Sequence, residues 1–199
     1  MIDYNKVANF VAGFEGCSSS VRGSNTLLTE DQTNAINTVV YPYNDGFGNW
    51  TQGYGSTYDL HGNKITENSA PITSGEAKVW LAHTAKEYLR QLFTQHFGTD
   101  TTENEAKGVQ ALNNLSQQQA NALGSLVYNV GVQGILNSQT FAQLLAGNYG
   151  TYEDYNSAVG TMAYNWASDA QGFNKVNGSF NQSLENRRVA EINMYFNGQ

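Results

Sequence analysis

A chain of 199 residues and 21.8 kDa is long enough to bury one full core and too short for a multidomain machine. Hydrophobic residues at 40% and aromatics at 12% exclude a disordered tail, while charged residues at only 14% leave the surface to Asn, Gln, Ser and Thr, a composition suited to hydrogen-bonding a neutral polar partner such as sugar. A net charge of -7 with no basic tail, a single cysteine and no run near the ~18 apolar residues of a membrane span exclude a nucleic-acid coat, a disulfide framework and a membrane-inserted segment.

Met1 to Lys6 has neither a basic n-region nor an apolar h-region, so the chain is expected to be made in the cytoplasm without a signal peptide. Val7, Phe10, Val11 and Phe14 recur at helical spacing, with Asp3 as N-cap and Gly16 as stop, and predict a short amphipathic helix. Residues 17–40 are polar and read as an excursion from the core, a loop with Leu27-Leu28 as an apolar foot and a short helix near 30–38. Residues 41–58 are aromatic, Thr-rich and punctuated by glycine, with turn chemistry at Asn44-Asp45-Gly46, and predict a small antiparallel sheet.

The remainder reads as helical. Thr73-Ser74-Gly75-Glu76 has the spacing of a capping box ahead of one long helix over 73–97. Ser116 to Gln119 forms a second box, and the helix it opens is predicted to end at Gly131. Further helices are expected near 138–146, 152–167 and 183–196, completing a helical lobe over 115–199. The pattern is a single α+β domain, mostly α, with a small β lobe joined by a long helix to helices.

Two carboxylates stand on different elements, Glu15 at the end of the first helix and Asp45 in the β turn. Glycoside hydrolysis needs such a pair, one carboxyl donating to the leaving oxygen and an ionised partner activating water or stabilising positive charge. Taken alone the pair says little, since most Asp/Glu pairs are plain solvated surface groups. The run around them carries more: Phe14-Glu15-Gly16, then Tyr43-Asn44-Asp45, then Thr51-Gln52-Gly53-Tyr54-Gly55 six residues after the Asp. With Ile72-Thr73 and Glu76-Ala77, Leu115-Ser116, Ala122-Leu123, Asn129-Val130-Gly131, and Asn186-Arg187-Arg188 with Glu191, this resembles the phage-type lysozymes, the muramidase endolysins of glycoside hydrolase family 24, over nearly the whole chain.

The resemblance implies a lysozyme-like fold and hydrolysis of the β-1,4 bond between N-acetylmuramic acid and N-acetylglucosamine in a peptidoglycan strand. It implies Glu15 as general acid, Asp45 as the group that activates or orients water, and Thr51 as its hydrogen-bonding partner. Gly53 and Gly55 would let backbone approach the saccharide, Tyr54 would pack in the sheet or line the cleft, and Arg187 would help orient the acid. Trp50, beside Thr51, is the tryptophan best placed to meet sugar, and Asn129 reads mainly as a helix-end cap. Three departures stand out: the 17–40 insertion, Ser56 where some members carry a histidine, and acidity where many relatives are basic. A lytic transglycosylase and a non-catalytic wall-binding module remain alternatives, and phage endolysin and secreted antibacterial effector are both compatible with the domain. An inhibitor or immunity protein is a candidate partner, with the insertion as its surface, and a monomer is expected.

Other candidates have plainer readings. His61, His83 and His96 lack metal-ligand spacing, so neither metal nor cofactor is expected. Cys17 has no histidine partner and reads as a buried, idle thiol. Arg187-Arg188 could pair with Glu185 or Glu191 on a solvated face.

Overall fold

The computed structural model describes residues 1–21, 24–146 and 173–197. They fall into two compact units, Asp3–Ala85, and Lys86–Gln199 together with Met1–Ile2.

In the first unit, α1 (Tyr4–Glu15) starts where the Asp3 carboxylate accepts from the Asn5 amide and ends where the Gly16 amide donates to the Ala12 carbonyl. Val7, Ala8 and Val11 form its buried face. The stretch that follows is not the loop expected from its polar composition. β1 (Ser18–Val21) and β2 (Ser24–Leu27) form an antiparallel hairpin, and α2 (Glu30–Asn34) opens on a capping box made by Thr29 and Gln32. Serines offered no alternation of apolar and polar residues to read. What makes this segment a strand is hydrogen bonding to chain that follows it. The Ser18 amide donates to the Gly53 carbonyl at 2.9 Å, and Ser19 Oγ accepts from the Tyr41 amide at 2.9 Å.

The predicted sheet proves to be a set of very short pairings. β3 (Val39–Val40) pairs with β6 (Ile72–Thr73), and β4 (Tyr43–Asn44) pairs with β5 (Trp50–Thr51). The buried Gln52 amide ties them, donating to the carbonyls of Val40 and Ala70 at 2.9 and 3.1 Å. Gly53 has φ +64, and a Cβ there would stand 2.7 Å from the Ala77 Cβ. Glycine here lets the strand lie against a helix. Gly53→Ala is accordingly expected to destabilise by about 1–3 kcal/mol, read as a lower urea midpoint with unchanged m-value.

The helix in question, α3 (Ser74–Phe97), runs from the first unit into the second. Its capping box is the predicted one: Glu76 Oε2 accepts from the Thr73 amide and hydroxyl at 2.7 and 2.9 Å, and the Glu76 amide donates back to Thr73 Oγ1.

In the second unit, α4 (Thr102–Asn113) has no counterpart among the expected helices, because its apolar positions are sparse and Gly108 interrupts them. Packing explains that glycine: a Cβ would meet the Phe93 and Thr94 backbone at 2.8 Å. The helix α5 (Gln117–Val130) has the predicted Ser116–Gln119 box and ends at Gly131, as expected. Its buried face, including Leu123, Leu126 and Val127, packs on α8 (Gln182–Asn197), with α6 (Val132–Leu136) and α7 (Gln139–Leu145) between them in sequence.

One segment corrects the all-helical expectation for this half. β7 (Lys175–Val176) and β8 (Ser179–Phe180) form a hairpin over Asn177-Gly178, both at positive φ. Asn-Gly is a strong hairpin signal. The helix expected at 152–167, with Trp166, lies outside the described residues. No helix among the described residues is long and apolar enough to cross a membrane.

Candidate active site

Glu15 is the half-buried last residue of α1. Three residues later the chain enters β1, and the Ser18–Gly53 bond fastens that strand to the chain just past Thr51. Thr51 lies opposite Tyr43 in the β4–β5 pair, and Asp45 follows β4 directly. Glu15, Asp45 and Thr51 therefore sit on adjoining elements of one unit, joined by backbone hydrogen bonds.

Asp45 holds the loop that it begins. Its Oδ1 accepts from the amides of Phe47 and Asn49 at 2.8 and 3.0 Å, and Oδ2 accepts from Asn49 Nδ2 at 3.0 Å. The Asp45 amide donates to the Asn49 carbonyl, closing the loop from the other side. The Asn49 side chain, followed by the backbone amide of Phe47, holds the Asp45 carboxyl below its ordinary range, and it remains an ionised acceptor near neutrality. Oδ2 makes one of these bonds, leaving it acceptor capacity for a water.

The same loop occurs again fourteen residues on. Asp59 accepts from the amides of His61 and Asn63 and from Asn63 Nδ2, all at 2.8 to 2.9 Å, and its own amide donates to the Asn63 carbonyl. The shared pattern, Asp-x-x-Gly-Asn at 45–49 and 59–63, is visible in the sequence and marks both turns. It separates two jobs of Asp45, since Asp59 staples the same kind of turn without following a strand paired with Thr51. Both carboxyls are held below the ordinary range, so each contributes stability that is present above that range and lost as pH falls through the depressed value.

Thr51 is 3% exposed, and its hydroxyl donates to the Tyr43 carbonyl at 3.4 Å. Burial pushes the Tyr43 phenol's pKa up, against the lowering influence of the neighbouring Thr51 and Ser18 hydroxyls. Tyr43 and Ser18 are thus members of the site that the sequence did not single out. Tyr54 is buried, and burial pushes its phenol to about 12; of the two expectations for it, packing is the observed one. Gly55 turns the chain at φ +92 with open space around it, and Trp50 is half-buried opposite Asn44. Ser56 is buried, its backbone paired in both directions with Gln52.

The remaining candidates belong to the second unit. Arg187 is 4% exposed and donates to Ser125 Oγ, the Ser125 carbonyl and Glu191 Oε1 at 3.0 to 3.2 Å. Arg188 donates to Glu191 Oε1 at 2.8 Å and to Asn129 Oδ1 at 3.0 Å. The two arginines therefore form a buried network, not a solvated face. Asn129 serves it as an acceptor, and the helix-end cap is Gly131. His96 packs edge-on against Phe97 and Phe141, with burial lowering its pKa. Cys17 is buried, which pushes its thiol to about 11 and leaves it unreactive as a nucleophile.

The sequence pattern of the family described as phage lysozyme matches residues 33–191, which include Asp45, Thr51 and Arg187 and leave Glu15 outside. By sequence, no curated protein matches the chain. Among solved structures, an endolysin from Escherichia coli O157:H7 phage FAHEc1 is similar at 19% identity and a TM-score of 0.59, over 98% of this chain and 92% of that one. A point mutant of P22 lysozyme gives 18% and 0.60, over 98% and 97%. The muramidase domain of SpmX from Asticaccaulis excentricus gives 16% and 0.54, again over 98% and 97%. At these identities the likeness shows the fold.

Proposed function

We propose, on the premise that the chain belongs to the phage lysozyme family, that Glu15 is the general acid and Asp45 the water-orienting carboxylate of its muramidase reaction on peptidoglycan. Glu15 gives its proton to the oxygen linking N-acetylmuramic acid to N-acetylglucosamine. The carbon–oxygen bond breaks toward an oxocarbenium-like state, and water attacks from the opposite face. Asp45 accepts a hydrogen bond from that water, orients it and takes up its proton. Thr51 and Tyr43 act beneath as positioning residues, the Thr51 hydroxyl bonded to the Tyr43 carbonyl across the strand pair from which Asp45 projects.

What supports this reading is the backbone linkage of Glu15, Thr51 and Asp45 within one unit, together with the Asp45 carboxyl held ionised. Digestion of purified sacculi tests it: hydrolysis leaves reducing muramic acid ends. Predominant 1,6-anhydro ends would replace hydrolysis by a transglycosylase reaction, which uses the acid alone.

The twin loops give a sharper test of Asp45. Asp45→Asn and Asp59→Asn each remove one carboxylate from the same turn, so both should cost similar, small amounts of stability in acid and thermal unfolding. Only Asp45→Asn should lose lysis, by about two orders of magnitude or more. Equal activity in the two variants would reduce Asp45 to a turn staple.

A further inference from the structure

A cavity of about 430 Å³ opens in the unit Asp3–Ala85, lined by neither Asp45 nor Thr51. Its walls come from one face of α1, from Cys17 and Leu28 at the foot of the hairpin, from α2, and from Tyr54 and Lys78. The volume lies within the range of small-ligand sites.

Two features give it the character of a built site. Gly13 lines it from the last turn of α1, where glycine is still a poorer helix former than alanine, yet a Cβ there would meet nothing within 4 Å. Close packing does not call for this glycine, and the missing side chain adds room to the cavity. The second feature is Lys78, one of only 10 basic residues against 17 acidic ones. It is half-buried, and its ammonium makes one long hydrogen bond, 3.4 Å to Asn34 Oδ1. An ammonium has three donors, so this one retains capacity for an anion. Glu30 places a carboxylate elsewhere on the same wall.

The sugars of a peptidoglycan strand are uncharged where the lactyl groups are amide-linked. The carboxylates lie on the peptide stems, whose diamino residue also carries an amine. The cavity starts at Gly16 and Cys17, immediately after Glu15, and Ala77, beside Lys78, packs on Gly53 two residues after Thr51. An extended stem of three or four residues reaches about 10–14 Å.

We propose that this cavity receives the peptide stem of the substrate, a stem carboxylate pairing with Lys78. The proposal rests on the muramidase reading above, and its test keeps the two apart. Soluble glycan strands are compared with stems intact and after removal of the stems by an amidase. The parent should favour stem-bearing strands by about tenfold in kcat/KM, the worth of one charge-assisted hydrogen bond. Lys78→Met keeps the length of the side chain and removes its charge. It should abolish the preference by raising KM on stem-bearing strands, with unchanged kinetics on denuded ones. Gly13→Leu fills the cavity with a better helix former and should do the same without lowering Tm. A parent without the preference, or either variant retaining it, overturns the proposal. A parent that cleaves neither substrate overturns the muramidase reading instead.

Discussion

Glu15→Gln is expected to slow clearing of purified sacculi by about two to four orders of magnitude, the range that general acid catalysis contributes, with circular dichroism and Tm unchanged. The amide is nearly isosteric with the acid but has no proton to give the leaving oxygen. The fold should hold, since the amide keeps the size and shape of the carboxyl and the helix is closed by the backbone of Gly16. Asp3, at the other end of the same helix, is the useful contrast. Its carboxylate caps the helix through the Asn5 amide, so Asp3→Ala should cost about 1 kcal/mol and leave turnover intact. Turnover by Glu15→Gln within a few-fold of the parent would remove Glu15 from the reaction.

The largest expected loss of stability comes from Glu191→Ala. Glu191 is fully buried on α8, with Arg187 Nε 3.2 Å from Oε1, Arg188 Nε 2.7 Å from Oε2, and Ser125 Oγ donating to Oε1 at 2.7 Å. Truncation takes away the carboxylate that both guanidiniums share, in a place where water cannot replace it. Breaking a buried pair from one side costs about 3–5 kcal/mol, which for a chain of this length lowers Tm by roughly 6–20 °C. Because Ser125 lies on α5, the network joins α5 to α8, so the loss should appear as one cooperative transition shifted downward. A shift of only a degree or two would mean that the network is replaceable by repacking.

The elements legible in the sequence share a local cause. Asp3, Thr73, Ser116 and Gly131 stop or start helices through bonds to residues within four positions, so the letters alone specify them. The Asp-x-x-Gly-Asn loops belong to this class too, and their repetition in the sequence announces a shared turn. Glu15, Asp45 and Thr51 stood out only through the motif run they belong to, since a carboxylate taken alone reads as a solvated surface group.

Tertiary structure decided the rest. Ser18 to Ser20 form a strand because Gly53 and Tyr41 accept from and donate to them across more than twenty residues of chain. Gly108 is tolerated in α4 because the Phe93 and Thr94 backbone leaves no room for a Cβ, and Gly53 follows the same logic against Ala77. Arg187 and Arg188 look like surface cations beside Glu185 and Glu191, yet α5 covers them and turns a solvated pair into a buried network. Such contacts have no local signature, since a polar or small residue shows its purpose only when a distant segment supplies its partner. The chain by itself thus determined where helices begin and end and which carboxylates bracket the β region. Its packing determined which polar residues are buried and why particular glycines are needed, because burial and close approach are properties of neighbours brought together by the fold.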